Sequence, residues 1–193
     1  MKQLALALAV TFLSTPLNAE ETHQPYAGLE DRAISSLSTS DIAELRRGGG
    51  WGLALPAELN GYPGPAHVLE LSEELSLSDD QIAKFEAIFE EMRTEAITIG
   101  QKLIEAERVL DEGFRNGGLL PAQLQFLIKA AERHRAELRM VHLSRHLISV
   151  DILSPTQIAR YSALRGYADD PCLNAPEGHD AEMWRRHNGC QDN

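Results

Sequence analysis

The apolar residues in the middle of the chain fall on a single helical stripe. Ile82, Phe85, Phe89, Met92, Ala96, Ile99, Leu103, Ala106 and Leu110 follow one another in alternating steps of three and four. That spacing is a heptad seam and predicts one long helix over 79–112. Gly113, Asn116, Gly117 and Gly118 end the pattern, and Pro121 suits the first position of a new helix. Leu124, Leu127, Ala131, His134, Leu138, Val141, Arg145 and Ile148 then continue the spacing to about 150. Two long helices around a short Gly-rich turn predict an all-α chain built on an antiparallel helical hairpin. The second arm carries another stripe, Met140, Leu143, Leu147 and Val150, on a different face. A hairpin buries one stripe by itself. The second is therefore expected at a homodimer interface or a client surface.

Each end of the hairpin is marked by the same local sequence. Residues 77–88 return as residues 153–164, 76 positions later. Leu77/Leu153, Ser78/Ser154 and Gln81/Gln157 are identical, and a basic residue and an aromatic follow at matching positions. Ser78 and Ser154 suit the N-cap, where a hydroxyl accepts from orphan backbone N–H groups. Gln81 and Gln157 lie three residues on and can reach back to close a capping box. Pro155 falls at the first helical position.

Shorter elements flank the hairpin. Residues 20–28 read as a disordered leader, and 29–47 as a short amphipathic helical region with its own capping pattern at Ser38 and Asp41. Gly48, Gly49 and Gly50 must break that helix. The Gly/Pro-rich stretch that follows carries Trp51, Leu53, Leu55, Leu59 and Tyr62, which suggests an ordered loop pinned by apolar anchors. A short helix is expected over 65–75 and a last one over 154–166. The chain thus divides into 1–19, 20–64, a helical domain at 65–167 and a Cys/His-containing tail at 168–193.

Residues 1–19 read as a secretory signal peptide. Lys2 precedes an apolar run from Leu4 to Leu13, and Ala19 offers a small residue before a cut. The run is too short to span a bilayer, and no other stretch qualifies. The expected location is the periplasm. Taking Lys2 from 18 basic residues against 29 acidic ones leaves a charge of −12 on the remainder. Nucleic-acid binding needs clustered positive charge, so it is not expected. Cys172 and Cys190 make an even pair in an oxidising compartment, which favours a disulfide. His179 and His187 lie between them, so a Cys/His metal site is the alternative.

His142 and His146 are spaced i, i+4 and present two imidazoles on one side of the second arm. By helical angle they sit on a polar flank, level with Glu86 and Glu90 of the first arm. Two histidines with one or two carboxylates suit Zn²⁺, Ni²⁺ or Cu²⁺; the alternative is a pair of solvated histidines. His134 on the seam reads as a half-buried histidine with one local partner. Arg145 reads as snorkelling or pairing with a glutamate such as Glu86. No nucleophile elbow, zinc-protease motif or phosphate loop is present, so no enzymatic activity is expected.

Paired Leu-Ser-x-x-Gln motifs at Leu77–Gln81 and Leu153–Gln157, flanking a long hairpin in an exported chain, resemble the Spy/CpxP superfamily of small periplasmic proteins. The resemblance covers about 65–167. It implies an all-α cradle, often dimeric. Members chaperone unfolded envelope proteins, restrain a membrane sensor or regulator, or bind heavy metals, as the ZraP-like and CnrX-like members do. The spacing of His142 and His146 is similar to that of the metal-sensing relatives. The implied roles are a stress-response protein that binds unfolded or partner envelope proteins, or a heavy-metal sensor or buffer.

Overall fold

The computed structural model describes residues 25–169, 175, 177–188 and 190. The expected signal peptide and Cys172 lie outside the described residues. Cys190 carries no free thiol.

The described residues are helical and form no strand, only an isolated bridge between Ile34 and Leu37. The helices are α1 (Thr39–Arg47), α2 (Leu55–Glu58), α3 (Pro65–Glu70), α4 (Asp79–Arg115), α5 (Pro121–Ile152), α6 (Pro155–Leu164) and α7 (Ala181–His187). The long helices α4 and α5 pack along each other, with Phe85, Met92, Ala96 and Leu103 buried on α4 and Ala131, Leu138 and Val141 on α5. No described helix is long and apolar enough to cross a membrane.

The repeat has a structural reason beyond helix capping. Ser78 N donates to Gln81 Oε1 (3.0 Å), and Gln81 N donates to Ser78 Oγ (3.3 Å). Ser154 and Gln157 repeat this at 2.9 and 3.2 Å. The two glutamines then bond each other. Gln81 Nε2 donates to Gln157 Oε1 at 2.9 Å, and Gln157 Nε2 donates to Gln81 Oε1 at 3.1 Å. Each amide also donates to a backbone carbonyl just ahead of the opposite copy, Gln81 to Ile152 (3.0 Å) and Gln157 to Leu75 (3.3 Å). Both amides are thus fully used, and the start of α6 is fixed to the start of α4. A core of Val68, Leu75, Phe85, Leu153 and Tyr161 closes around this clamp.

A second core forms where the N-terminal segment crosses the hairpin. Leu45, Ile34 and Leu37 join Met92, Ala96, Leu103, Leu138 and Val141. The close crossing of α1 over α4 needs Gly100: a Cβ there would sit 2.6 Å from the Leu45 carbonyl oxygen. The expected helix over 29–47 begins only at Thr39. Before it, Ser36 Oγ donates to buried Glu107 (2.8 Å) and Ser35 N to Asp111 (3.3 Å), which holds that stretch out of helical form. The capping box at Ser38 and Asp41 is present. α3 stops at Glu70 rather than 75, and α7, capped by Asp180, was not foreseen.

His134 bonds Glu137 through Nδ1 at 2.9 Å. Arg145 pairs with Glu95 at 2.8 Å, not Glu86. Of the second stripe, Met140 and Leu147 are 67% and 59% exposed, whereas Leu143 and Val150 are half-buried.

Replacing Gln81 or Gln157 with alanine strands the partner amide and a part-buried carbonyl. Each change should cost about 1–3 kcal/mol. In urea denaturation the double variant should cost less than the sum, with about 1 kcal/mol of coupling between the two.

Candidate functional site

Between α1 and α3 the chain turns through 48–64 and lies against α4 and α5. Trp51 anchors it: its backbone N donates to Glu44 Oε1 and its indole Nε1 to Asp41 Oδ1, both at 2.9 Å. The Arg135 guanidinium stacks 4.7 Å above the Trp51 ring. The folded-over stretch lines a half-open cavity of about 530 Å³. Trp51, Leu55, Phe89 and Met92 give it apolar walls, and Glu58, His67, His142 and His146 reach it from α2, α3 and α5.

The two histidines are not on a solvated flank. His142 is 3% and His146 6% exposed. α5 packs against the α2 and α3 stretch as well as against α4, so its buried face widens to include His142, His146 and Ser149. Glu86 and Glu90 are exposed on α4, and Glu90 pairs with Arg93 at 3.2 Å. The carboxylate beside the histidines is Glu58, with Oε2 lying 3.8 Å from His146 Nδ1.

His146 Nδ1 donates to the Tyr62 carbonyl at 2.7 Å. A carbonyl only accepts, so Nδ1 carries a proton and Nε2 is the ring nitrogen left to serve as a ligand. Gly64 packs on this ring: a Cβ there would come within 2.8 Å of His146 Cε1. His142 Nε2 is buried without any partner. Burial, followed by the neighbouring His146, pushes the His142 imidazole below its ordinary value. His142 is therefore neutral at pH 7, with an open lone pair.

Glu58 is buried and its two oxygens differ. Oε1 accepts from Tyr161 Oη at 2.5 Å and from Tyr167 Oη at 3.3 Å. His67 Nδ1 is 3.2 Å and Arg165 Nε 3.4 Å from the same oxygen. Oε2 has no hydrogen-bond partner. Burial pushes the carboxyl up, but hydrogen bonds from His67 and Tyr161 and the charges of His67 and His146 outweigh it and hold it at about 2. The site thus offers an ionised carboxylate oxygen and a neutral imidazole nitrogen, both buried, both acceptors and both unpartnered. Such groups are costly to leave alone and suit a cation or a strong donor.

His142 and His146 were legible as a pair from their spacing. Glu58 was not, because it lies in a loop-like stretch with no periodicity. Its nearest signal was the density of apolar anchors around it, which marks an ordered segment. Among the described residues no group of three or more His, Cys, Asp or Glu stands ready at metal-ligand spacing. In the tail, His179 packs edge-on to Trp184, ring centres 5.2 Å apart. The chain matches no known family model, and no curated protein or solved structure is detectably similar to it.

Glu58 has a folded value of about 2 against an ordinary 4.5. A depressed carboxyl stabilises the fold above its unfolded value, and that contribution is lost as pH falls through the folded value. Acid unfolding should therefore steepen between pH 4.5 and about 2. Glu58→Gln should flatten that limb in circular-dichroism titrations; an unchanged limb counts against an ionised Glu58.

Proposed function

We propose that this is an exported, metal-responsive protein of the Spy/CpxP kind, in which His142, His146 and Glu58 take a divalent transition metal. The observation that carries the reading is the pair of unpartnered buried acceptors, His142 Nε2 and Glu58 Oε2, on one cavity. Neutral imidazole with carboxylate is a borderline donor set that suits Zn²⁺, Ni²⁺ or Cu²⁺ better than Mg²⁺ or Ca²⁺. The Tyr62 carbonyl behind His146 fixes its tautomer, as outer partners of ligating histidines do. The three groups do not yet stand at ligand spacing. Binding must draw Glu58 and α2 towards α5, which gives the metal something to change and makes a sensor a better reading than a buffer. The signal-peptide reading of 1–19 goes with the periplasm, where environmental metal arrives unbuffered.

Calorimetry with Zn²⁺ on the chain without residues 1–19 should give one tight site. His142→Ala and His146→Ala should each remove it, and Glu58→Gln should weaken it by about tenfold or more, as loss of a charged ligand does. Affinity should fall as pH drops through the histidine range, since protonated imidazole cannot ligate. Unchanged affinity in the histidine variants refutes the reading.

A second reading is a face for unfolded or partner envelope proteins, or for a second copy of the chain. Its support is the exposure of Met140 and Leu147 on α5. Met140→Asp with Leu147→Asp should abolish suppression of client aggregation without changing the thermal midpoint by more than a few degrees, since neither side chain is in the core. A double variant that suppresses aggregation like the native protein removes that face from consideration.

A further inference from the structure

We infer that α6 is the output element of the Glu58 site, and that Tyr161 is the positioning residue that joins the two. The inference rests on the metal reading above. It names which part of the fold responds.

Tyr161 is fully buried in the core around the repeat clamp. Its hydroxyl donates to Glu58 Oε1 at 2.5 Å, and Gly64 N is 3.4 Å from the same hydroxyl. The 58–64 stretch therefore runs between two elements. On one side is α5, where His146 bonds the Tyr62 carbonyl and packs on Gly64. On the other is α6, where Tyr161 bonds Glu58 and meets Gly64, and Arg165 at its end lies 3.4 Å from Glu58. Every hydrogen-bonding hand on Glu58 comes from α3, α6 or Tyr167 just beyond α6. None comes from α5, where the open histidine lies.

A ligand held by Glu58 Oε2 and His142 Nε2 pulls Glu58 towards α5 and away from Tyr161. The Tyr161–Glu58 bond must lengthen, and α6 loses its strongest polar tie to the 58–64 stretch. α6 does not come free, because Gln157 still bonds Gln81. What changes is the C-terminal part of α6, past the clamp. Ligand at the cavity thus loosens residues 158–165 while it tightens α5 around 142–146. A carboxylate with its donors on one oxygen only is what such a device needs: one oxygen reads the ligand, and the other reports to α6.

The test is amide hydrogen exchange of the chain without residues 1–19, with and without zinc chloride, read beside zinc calorimetry. Zinc should slow exchange over 142–149 and speed it over 158–165 by about two- to tenfold, the range of one net hydrogen bond. In Tyr161→Phe zinc should still bind, but the 158–165 response should be lost. Opposite signs on α5 and α6 separate a relay from general stabilisation, so the native map decides even if Tyr161→Phe fails to fold. Zinc binding with a uniform slowing, or with no change over 158–165, overturns the relay and leaves the metal reading standing. So does a Tyr161→Phe response equal to the native one. Absence of zinc binding in the native chain overturns both.

Discussion

One buried carboxylate sets the terms for this fold. An ionised glutamate taken out of water costs several kcal/mol unless donors surround it. Glu58 finds its donors on separate elements: His67 on α3, Tyr161 on α6 and Tyr167 beyond, with the Arg165 charge 3.4 Å away. None of them is near Glu58 in sequence except His67. The charge is tolerable only if α6 is already docked against the 58–64 stretch. That docking depends in turn on the glutamine pair Gln81 and Gln157, which ties the start of α6 to the start of α4. The sequence repeat and the cavity are therefore parts of one arrangement. Without the clamp Tyr161 has no fixed place, and without Tyr161 the Glu58 carboxylate loses one of the hydrogen bonds that, after that of His67, keep it ionised in the interior.

A second buried glutamate shows what a purely structural one looks like. Glu107 accepts from Arg135 at Oε1 (2.9 Å) and from Ser36 at Oε2 (2.8 Å). Both oxygens are satisfied, and the result is a strap that pins the N-terminal segment across the hairpin. Arg135 in turn stacks on Trp51, which steadies the loop that roofs the cavity. Glu58 has the same burial and more donors, yet all of them crowd one oxygen. Donor supply therefore does not explain the open Oε2. Its direction does: it faces His146 and the cavity, where no protein donor is aimed at it.

The hairpin was legible in the sequence because heptad spacing is a local property of one helix against one partner. Phe85, Met92, Ala96, Leu103, Leu138 and Val141 are where that spacing puts them. The capping boxes were legible for the same reason. What failed was the outer half of α5. A hairpin alone leaves His142 and His146 on a flank; α2 and α3 cover that flank, and the sequence of a Gly/Pro-rich stretch does not say which way it folds. The reciprocal bonds between Gln81 and Gln157 were hidden too, since a repeat signals similar local structure and says nothing of contact. Glu58 sits in a single-turn helix among glycines and prolines, so its burial depended entirely on tertiary packing.

The cavity histidines and the exposed apolar pair lie on one helix. α5 turns His142 and His146 into the cavity and leaves Met140 and Leu147 in solvent on another face. A long helix packed on α4 behaves as a rigid body over such a distance, because its interior contacts are close-packed and not continuously deformable. On the metal reading proposed above, a pull on its histidines from the 58–64 stretch would therefore not be confined to one face. It would change how α5 lies on α4, and with it the setting of Met140 and Leu147. The same pull would release α6 at the other side of the stretch. A ligand between Glu58 and His142 would thus act on two surfaces at once, through a carboxylate whose Oε2 has no hydrogen-bond partner of its own.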